Sequence, residues 1–135
     1  METKKFALIT FYDKDKNITL QDRKSISKYG ELYGLFGGTI EQGETPSQAI
    51  VREIREELNF DLIDFEYVGC RRYCFEDKYN VSSDLYIAKL ENNLEKFKVL
   101  EGDGLKLCSL EKAKELSHKY DKDIIEIYKK FLLNK

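Results

Sequence analysis

Residues 38–60, GTIEQGETPSQAIVREIREELNF, constrain this chain more than any other stretch. A glycine-rich turn runs into a helix-forming segment that carries Glu53, Glu56 and Glu57. At about 100° per residue these carboxylates fall within roughly 100° of the helix circumference. Like charges three or four residues apart destabilise a bare helix by about 0.2–0.5 kcal/mol per pair, so the arc calls for a compensating partner. Hard divalent cations such as Mg²⁺ take oxygen ligands and bridge carboxylates to substrate phosphates. The arc therefore reads as a metal site for phosphate chemistry, against the plainer alternative of a solvated face with incidental ion pairs.

Local signals place the helix at Pro46 to about Leu58. Thr45 is a good N-cap, Pro46 suits the first helical position, and Gln48 completes a Thr-x-x-Gln capping box. Ile50, Ile54 and Leu58 form an apolar stripe beside the carboxylates. Asn59 stands where a left-handed residue ends a helix. One face should pack on a core while the acidic face opens on a cleft.

This spacing resembles the Nudix box, G-x5-E-x7-R-E-U-x-E-E-x-G-U, where U is a bulky apolar residue. Gly38, Glu44, Arg52, Glu53, Ile54, Glu56, Glu57 and Phe60 occupy its positions in register. The late glycine is replaced by Asn59, a residue that tolerates positive φ. Upstream, many members read Leu-Pro-Gly-Gly where this chain reads Leu35-Phe36-Gly37-Gly38. The resemblance implies an α/β fold, a Nudix-type α/β/α sandwich with a mixed β-sheet and a loop-helix-loop box.

Composition agrees with one compact domain over 1–135. At 41 % hydrophobic and 36 % charged residues the chain is neither disordered nor membrane-embedded. Its net charge of −2 argues against general nucleic-acid binding. Met1-Glu2-Thr3-Lys4-Lys5 leads into a strand-like run, not a signal peptide. Three cysteines, Cys70, Cys74 and Cys108, do not suggest a disulfide framework and point to the cytoplasm. Cys70 and Cys74 share a face if they lie on a strand, and are expected as buried reduced thiols.

Along the chain, strands are expected at Phe6 to Tyr12, Ile18 to Asp22 and Tyr33 to Phe36, the last feeding a Gly37-Gly38 loop. Phe65 to Phe75 and Val81 to Lys89 read as two long strands, and Gly104 to Cys108 as another. Ser109 should cap a helix from Leu110, and a last helix should span Asp123 to Leu133. No internal repeat or linker interrupts this order.

Hydrolysing a diphosphate bridge brings hydroxide to a phosphorus ringed by negative oxygens, and bound metal neutralises charge and lowers the pKa of water. The resemblance implies Mg²⁺ (or Mn²⁺) held by Glu53, Glu56, Glu57 and the carbonyl of Gly38. It also implies that Arg52 pairs with Glu44 and an acidic neighbour, tying loop to helix. The resemblance leaves Glu53 and Glu101 as candidates for the general base, the latter because Leu100-Glu101-Gly102-Asp103-Gly104 resembles a stretch of some members where a distal Glu reaches the metal; that segment reads either as a mobile loop or as a plain hairpin turn. His118 is a weaker candidate in a polar, helical, surface stretch.

Tyr12, Tyr33, Phe36, Phe75, Tyr79 and Tyr86 could stack on a base, although strand aromatics are commonly core. Lys5, Arg23, Arg71 and Arg72 could meet outer phosphates. ADP-ribose and NADH members carry proline markers downstream of the box, whereas the one proline here is Pro46. The leading expectation is a Mg²⁺-dependent pyrophosphohydrolase, acting on acid anhydrides in phosphorus-containing compounds, with a small nucleotide substrate. It would work as a monomer or homodimer without nucleic-acid or membrane partners. The rival is a non-catalytic Nudix-like sensor or interaction module; such degenerate members usually lose box carboxylates, and this chain keeps them all.

Overall fold

A computed structural model describes residues 1–135 except Tyr29 and Asn92. The strands are β1 (Thr3–Tyr12), β2 (Ile18–Asp22), β3 (Tyr33–Gly34), β4 (Phe36–Thr39), β5 (Glu66–Phe75), β6 (Tyr79–Lys89) and β7 (Leu105–Cys108). Among the described residues the α-helices are α1 (Pro46–Leu58), α2 (Leu110–Leu116) and α3 (Lys122–Leu133), with a short 3-10 turn at Asn93–Lys96. The main sheet order is β3-β2-β1-β6-β5, with β4 also on β1 and β7 also on β2. β1 runs parallel to β6, and the other pairings are antiparallel. The sheet is therefore mixed.

Period-two alternation gives the sheet two apolar faces. Ala7, Ile9 and Phe11 of β1 join Tyr86 and Ala88 of β6 under Ile50, Ile54 and Leu58 of α1. On the other face Leu85 and Ile87 of β6 join Ile18 and Leu20 of β2, covered by Leu110, Ala113, Ile124 and Tyr128 of α2 and α3. The layers are α/β/α, as the resemblance implied.

Helix α1 starts and stops where its local chemistry directs. The Thr45 hydroxyl accepts the Gln48 N–H at 3.1 Å, and Gln48 Oε1 accepts the Thr45 N–H at 2.9 Å. Asn59 is left-handed at φ 49°, ψ 41°, and its N–H donates to the Arg55 carbonyl. The next carbonyls are met from afar: Lys98 N–H donates to Leu58 O and Leu100 N–H to Glu57 O, both at 2.8 Å. This docks residues 98–100 against the end of the box helix.

The expected Tyr33 to Phe36 strand divides into β3 and β4, and Gly37 and Gly38 lie within β4 rather than in a loop. Register pairs Leu8 with Gly37 and Ala7 with Gly38. Gly37 has φ +129°, and a Cβ there would stand 2.1 Å from the Ala7 carbonyl oxygen. Only glycine permits that approach. Phe36, standing where many relatives carry proline, is a fully buried core side chain.

Cysteine burial needs correcting. Cys70 and Cys74 share a face of β5, yet both are exposed, and Cys108 alone is buried. β5 ends the sheet order, and its outward residues Cys70, Arg72 and Cys74 are all solvent-exposed. Spacing sets the common face, but burial depends on what packs there.

Candidate active site

Arg52 is the hub of the site. Its Nε and Nη2 donate to the two Glu44 oxygens at 2.7 and 3.0 Å, a bidentate clamp from helix to preceding loop. Nη1 donates to Glu53 at 2.9 Å and to Glu56 at 3.3 Å, and Nη2 also reaches the Thr39 carbonyl at 3.0 Å. Glu44 in turn accepts the Glu41 N–H at 2.9 Å. Part of the like-charge cost on α1 is thus offset by a guanidinium on the same helix, without any metal. The Arg52 pKa is raised, chiefly by its bond to Glu44. Hydrogen bonding to Arg52 and to the Glu41 amide lowers that of Glu44.

The three arc carboxylates occupy different environments. The Glu56 side chain is half-exposed. Glu53 is mostly buried, and a Cβ on Gly38 would stand 2.6 Å from its Oε1, so glycine leaves room for the carboxylate against the strand. Glu57 is 1 % exposed and accepts the Gly37 N–H at 2.8 Å. Desolvation raises Glu53, opposed by Arg52. It raises Glu57 further, to about 8, opposed by the Gly37 amide and reinforced by Glu53 and Glu101.

Glu101 belongs to this group although more than forty residues separate it from α1. Its charge acts on both Glu53 and Glu57. Its carboxylate makes no hydrogen bond or ion pair among the described residues. The 101–103 segment is not a hairpin turn, and hydrogen bonds tie its backbone to the end of β2. Asp103 N–H donates to Asp22 O, Asp22 N–H donates to Gly104 O, and β7 pairs with β2 rather than with a strand before the bend. The Ser25 N–H and hydroxyl both donate to the Asp103 carboxylate at 2.7 Å. These clasps had no sequence signal, because each joins residues far apart along the chain.

Other candidates disperse. His118 lies between α2 and α3, not in a helix; it is half-buried and stacks on Tyr120 at 5.2 Å, across the sheet from α1. Arg71 is buried, donating to the Tyr120 carbonyl at 2.6 Å and pairing with Asp121 and Asp123, so it is structural. Phe36 and Tyr86 are core, while Phe75 and Tyr79 stack on each other. Tyr12 and Tyr33 are half-buried against the second core, and Lys5 and Arg72 are exposed. Arg23 alone among the four bases is electrostatically linked to the cluster, its charge lowering Glu57.

The NUDIX domain family matches residues 1–131. The chain belongs to that family. It is a Nudix hydrolase. Over 82 residues it is 29 % identical to 8-oxo-dGTP diphosphatase from Proteus vulgaris, covering 61 % of this chain and 73 % of that enzyme. Over 57 residues it is 39 % identical to CTP pyrophosphohydrolase from Escherichia coli, covering 42 % of each. The solution structure of the E. coli ORF135 protein superposes with a TM-score of 0.78 at 23 % identity, covering 100 % of this chain and 94 % of that one. That likeness extends the shared fold along the chain.

The chemistry of the donor set that the resemblance implies suits a hard divalent cation. Glu53, Glu56, Glu57 and the Gly38 carbonyl supply only oxygen. The desolvated Glu57 stands beside Glu53 and Glu101 with its pKa held high, as expected where positive charge is in short supply. Among the described residues no three acidic, cysteine or histidine side chains are already gathered round one point. Substrate oxygens and water would supply the rest of a Mg²⁺ shell. No helix among the described residues is long and apolar enough to cross a membrane.

Proposed function

We propose that this Nudix hydrolase is a Mg²⁺- or Mn²⁺-dependent pyrophosphohydrolase. It cleaves a diphosphate linkage in a nucleoside triphosphate or a related nucleoside diphosphate derivative, by attack of water on phosphorus. The observation that carries the reading is geometric: Arg52 and the Gly37 amide hold Glu53, Glu56 and Glu57 along α1, while the Leu100 N–H on the Glu57 carbonyl brings the segment before Glu101 to the end of that helix. Glu53, Glu56, Glu57 and the Gly38 carbonyl would hold the cation, which when bound neutralises phosphate charge and acidifies a water.

The chain's own groups divide the remaining work. Arg52 and Glu44 hold the loop to the helix, so the Gly37-Gly38 backbone and the carboxylates keep one relative position. Glu101, whose carboxylate has no hydrogen-bonding or ionic partner among the described residues, is the better candidate for the general base; Glu53 is engaged by Arg52. Arg23 is the cation available to an outer phosphate. Glu57 stays ordered through the Gly37 amide.

Similarity to 8-oxo-dGTP diphosphatase and CTP pyrophosphohydrolase supports a nucleoside triphosphate substrate, as does the lack of proline after Pro46. A single cytoplasmic domain acting on a small molecule, as monomer or homodimer, completes the proposal. Retention of every box carboxylate favours turnover over a sensor role. The test is a panel of common and oxidised nucleoside di- and triphosphates, incubated with Mg²⁺ or Mn²⁺ and read by phosphate or pyrophosphate release. Metal-dependent release is expected from at least one triphosphate. Silence across the panel with both metals would overturn the reading.

A further inference from the structure

Gln21 is fully buried on β2, and both ends of its amide are used. Its Nε2 donates to the Glu101 carbonyl at 3.3 Å, while its Oε1 accepts from Arg23 Nη1 at 2.6 Å. It therefore touches the two partners, one anionic and one cationic, whose charges bear on Glu57 from outside the box. The fit around it is close. Gly102, at φ +82°, packs so that a Cβ would stand 3.2 Å from Gln21 Nε2 and 2.7 Å from the Asp22 carbonyl oxygen. Gln21 pairs in register with Gly34, where a Cβ would stand 2.9 Å from Arg23 Cδ. Arg23 is held on its other side by Glu31 at 3.6 Å.

We infer that Gln21 is a positioning residue that sets the Glu101 bend and the Arg23 guanidinium against the box carboxylates together. The inference rests on the pyrophosphohydrolase reading of the site. A buried amide suits this place because it offers a donor and an acceptor at once and carries no charge. An apolar side chain of similar length would leave both partners to find water. A carboxylate would keep the acceptor for Arg23, strengthen that pair, and turn an oxygen toward the Glu101 carbonyl.

The two substitutions therefore separate the two ends. Gln21→Met should lower kcat and raise KM, since Glu101 and Arg23 both lose their setting. Gln21→Glu should lower kcat with KM held within about twofold, since only the Glu101 end is lost. A misplacement of about 1 Å can cost on the order of 100-fold in rate, so a kcat loss of roughly 10- to 100-fold is expected. Because Gln21 acts through Glu101, the double variant Gln21→Met/Glu101→Gln should be no slower than the slower single variant. Hydrogen exchange at the Asp103 amide, read without substrate, should quicken in Gln21→Met as the bend loosens.

Should Gln21→Met fail to fold, Gln21→Glu carries the same cycle with a polar group in the buried position. Unchanged kcat in the Gln21 variants, a silent Glu101→Gln, or losses that simply multiply in the double variant would each overturn the inference. A wild-type protein that hydrolyses nothing overturns the functional reading instead. The exchange measurement still reports whether Gln21 holds the bend.

Discussion

Replacing Glu57 with glutamine should stabilise the metal-free protein while disabling the enzyme. Glu57 is 1 % exposed, and burial raises its carboxyl from an ordinary 4.5 to about 8. A folded state with the higher pKa binds more protons than the unfolded chain between those values. Stability is therefore fully present below about pH 4.5 and falls as pH rises toward 8. At about 1.4 kcal/mol per pH unit, charging Glu57 costs on the order of 2–4 kcal/mol at pH 7 to 8, allowing for the coupling to Glu53 and Glu101. The substituted amide would keep an oxygen for the Gly37 N–H and remove the charge. For a chain of this size the gain corresponds to roughly 10 °C in Tm at pH 8, shrinking toward nothing at pH 4.5. The assay is thermal unfolding of wild type and Glu57→Gln in chelator from pH 4.5 to 9, repeated with Mg²⁺. Mg²⁺ should raise the wild-type Tm more than that of the variant, and kcat of the variant should fall by orders of magnitude at sub-saturating Mg²⁺. Parallel Tm curves across pH would refute the desolvation argument, and equal Mg²⁺ stabilisation would remove Glu57 from the ligands.

Glu101→Gln at saturating Mg²⁺ should lower kcat by about 10²–10⁴-fold while leaving Mg²⁺ affinity nearly unchanged; a wild-type rate across pH would make Glu53 the better base. Asn59→Gly should be close to neutral in Tm, whereas Asn59→Val should cost on the order of 1 kcal/mol or more, because a β-branched residue resists the left-handed backbone seen there. Thiol titration of the native protein should label exposed Cys70 and Cys74 quickly and reach Cys108 only on unfolding; three equally reactive thiols would contradict the packing around Cys108.

The box helix was legible in the sequence because its signals are local. Thr45, Pro46, Gln48 and Asn59 act within one turn of the backbone they terminate, so α1 spans Pro46–Leu58 as read from those residues. Period-two alternation likewise revealed the long strands, missing only their ends. The three-layer arrangement and the Glu53, Glu56 and Glu57 arc followed from helical geometry together with the family spacing.

What the sequence left open depends on contacts between distant segments. Gly37 and Gly38 read as a loop, yet pairing with β1 makes them strand. The exposure of Cys70 and Cys74 turns on β5 being last in the sheet order, which no spacing within β5 encodes. Glu101 could be named from the family resemblance of its segment, but its closeness to Glu57 arises because β7 pairs with β2 and residues 98–100 dock on the end of α1. The raised pKa of Glu57 has the same origin. A carboxylate on a helix is an ordinary acid until other segments exclude its water, and here β4 and the 101–103 bend stand on the side where the helix alone would leave solvent.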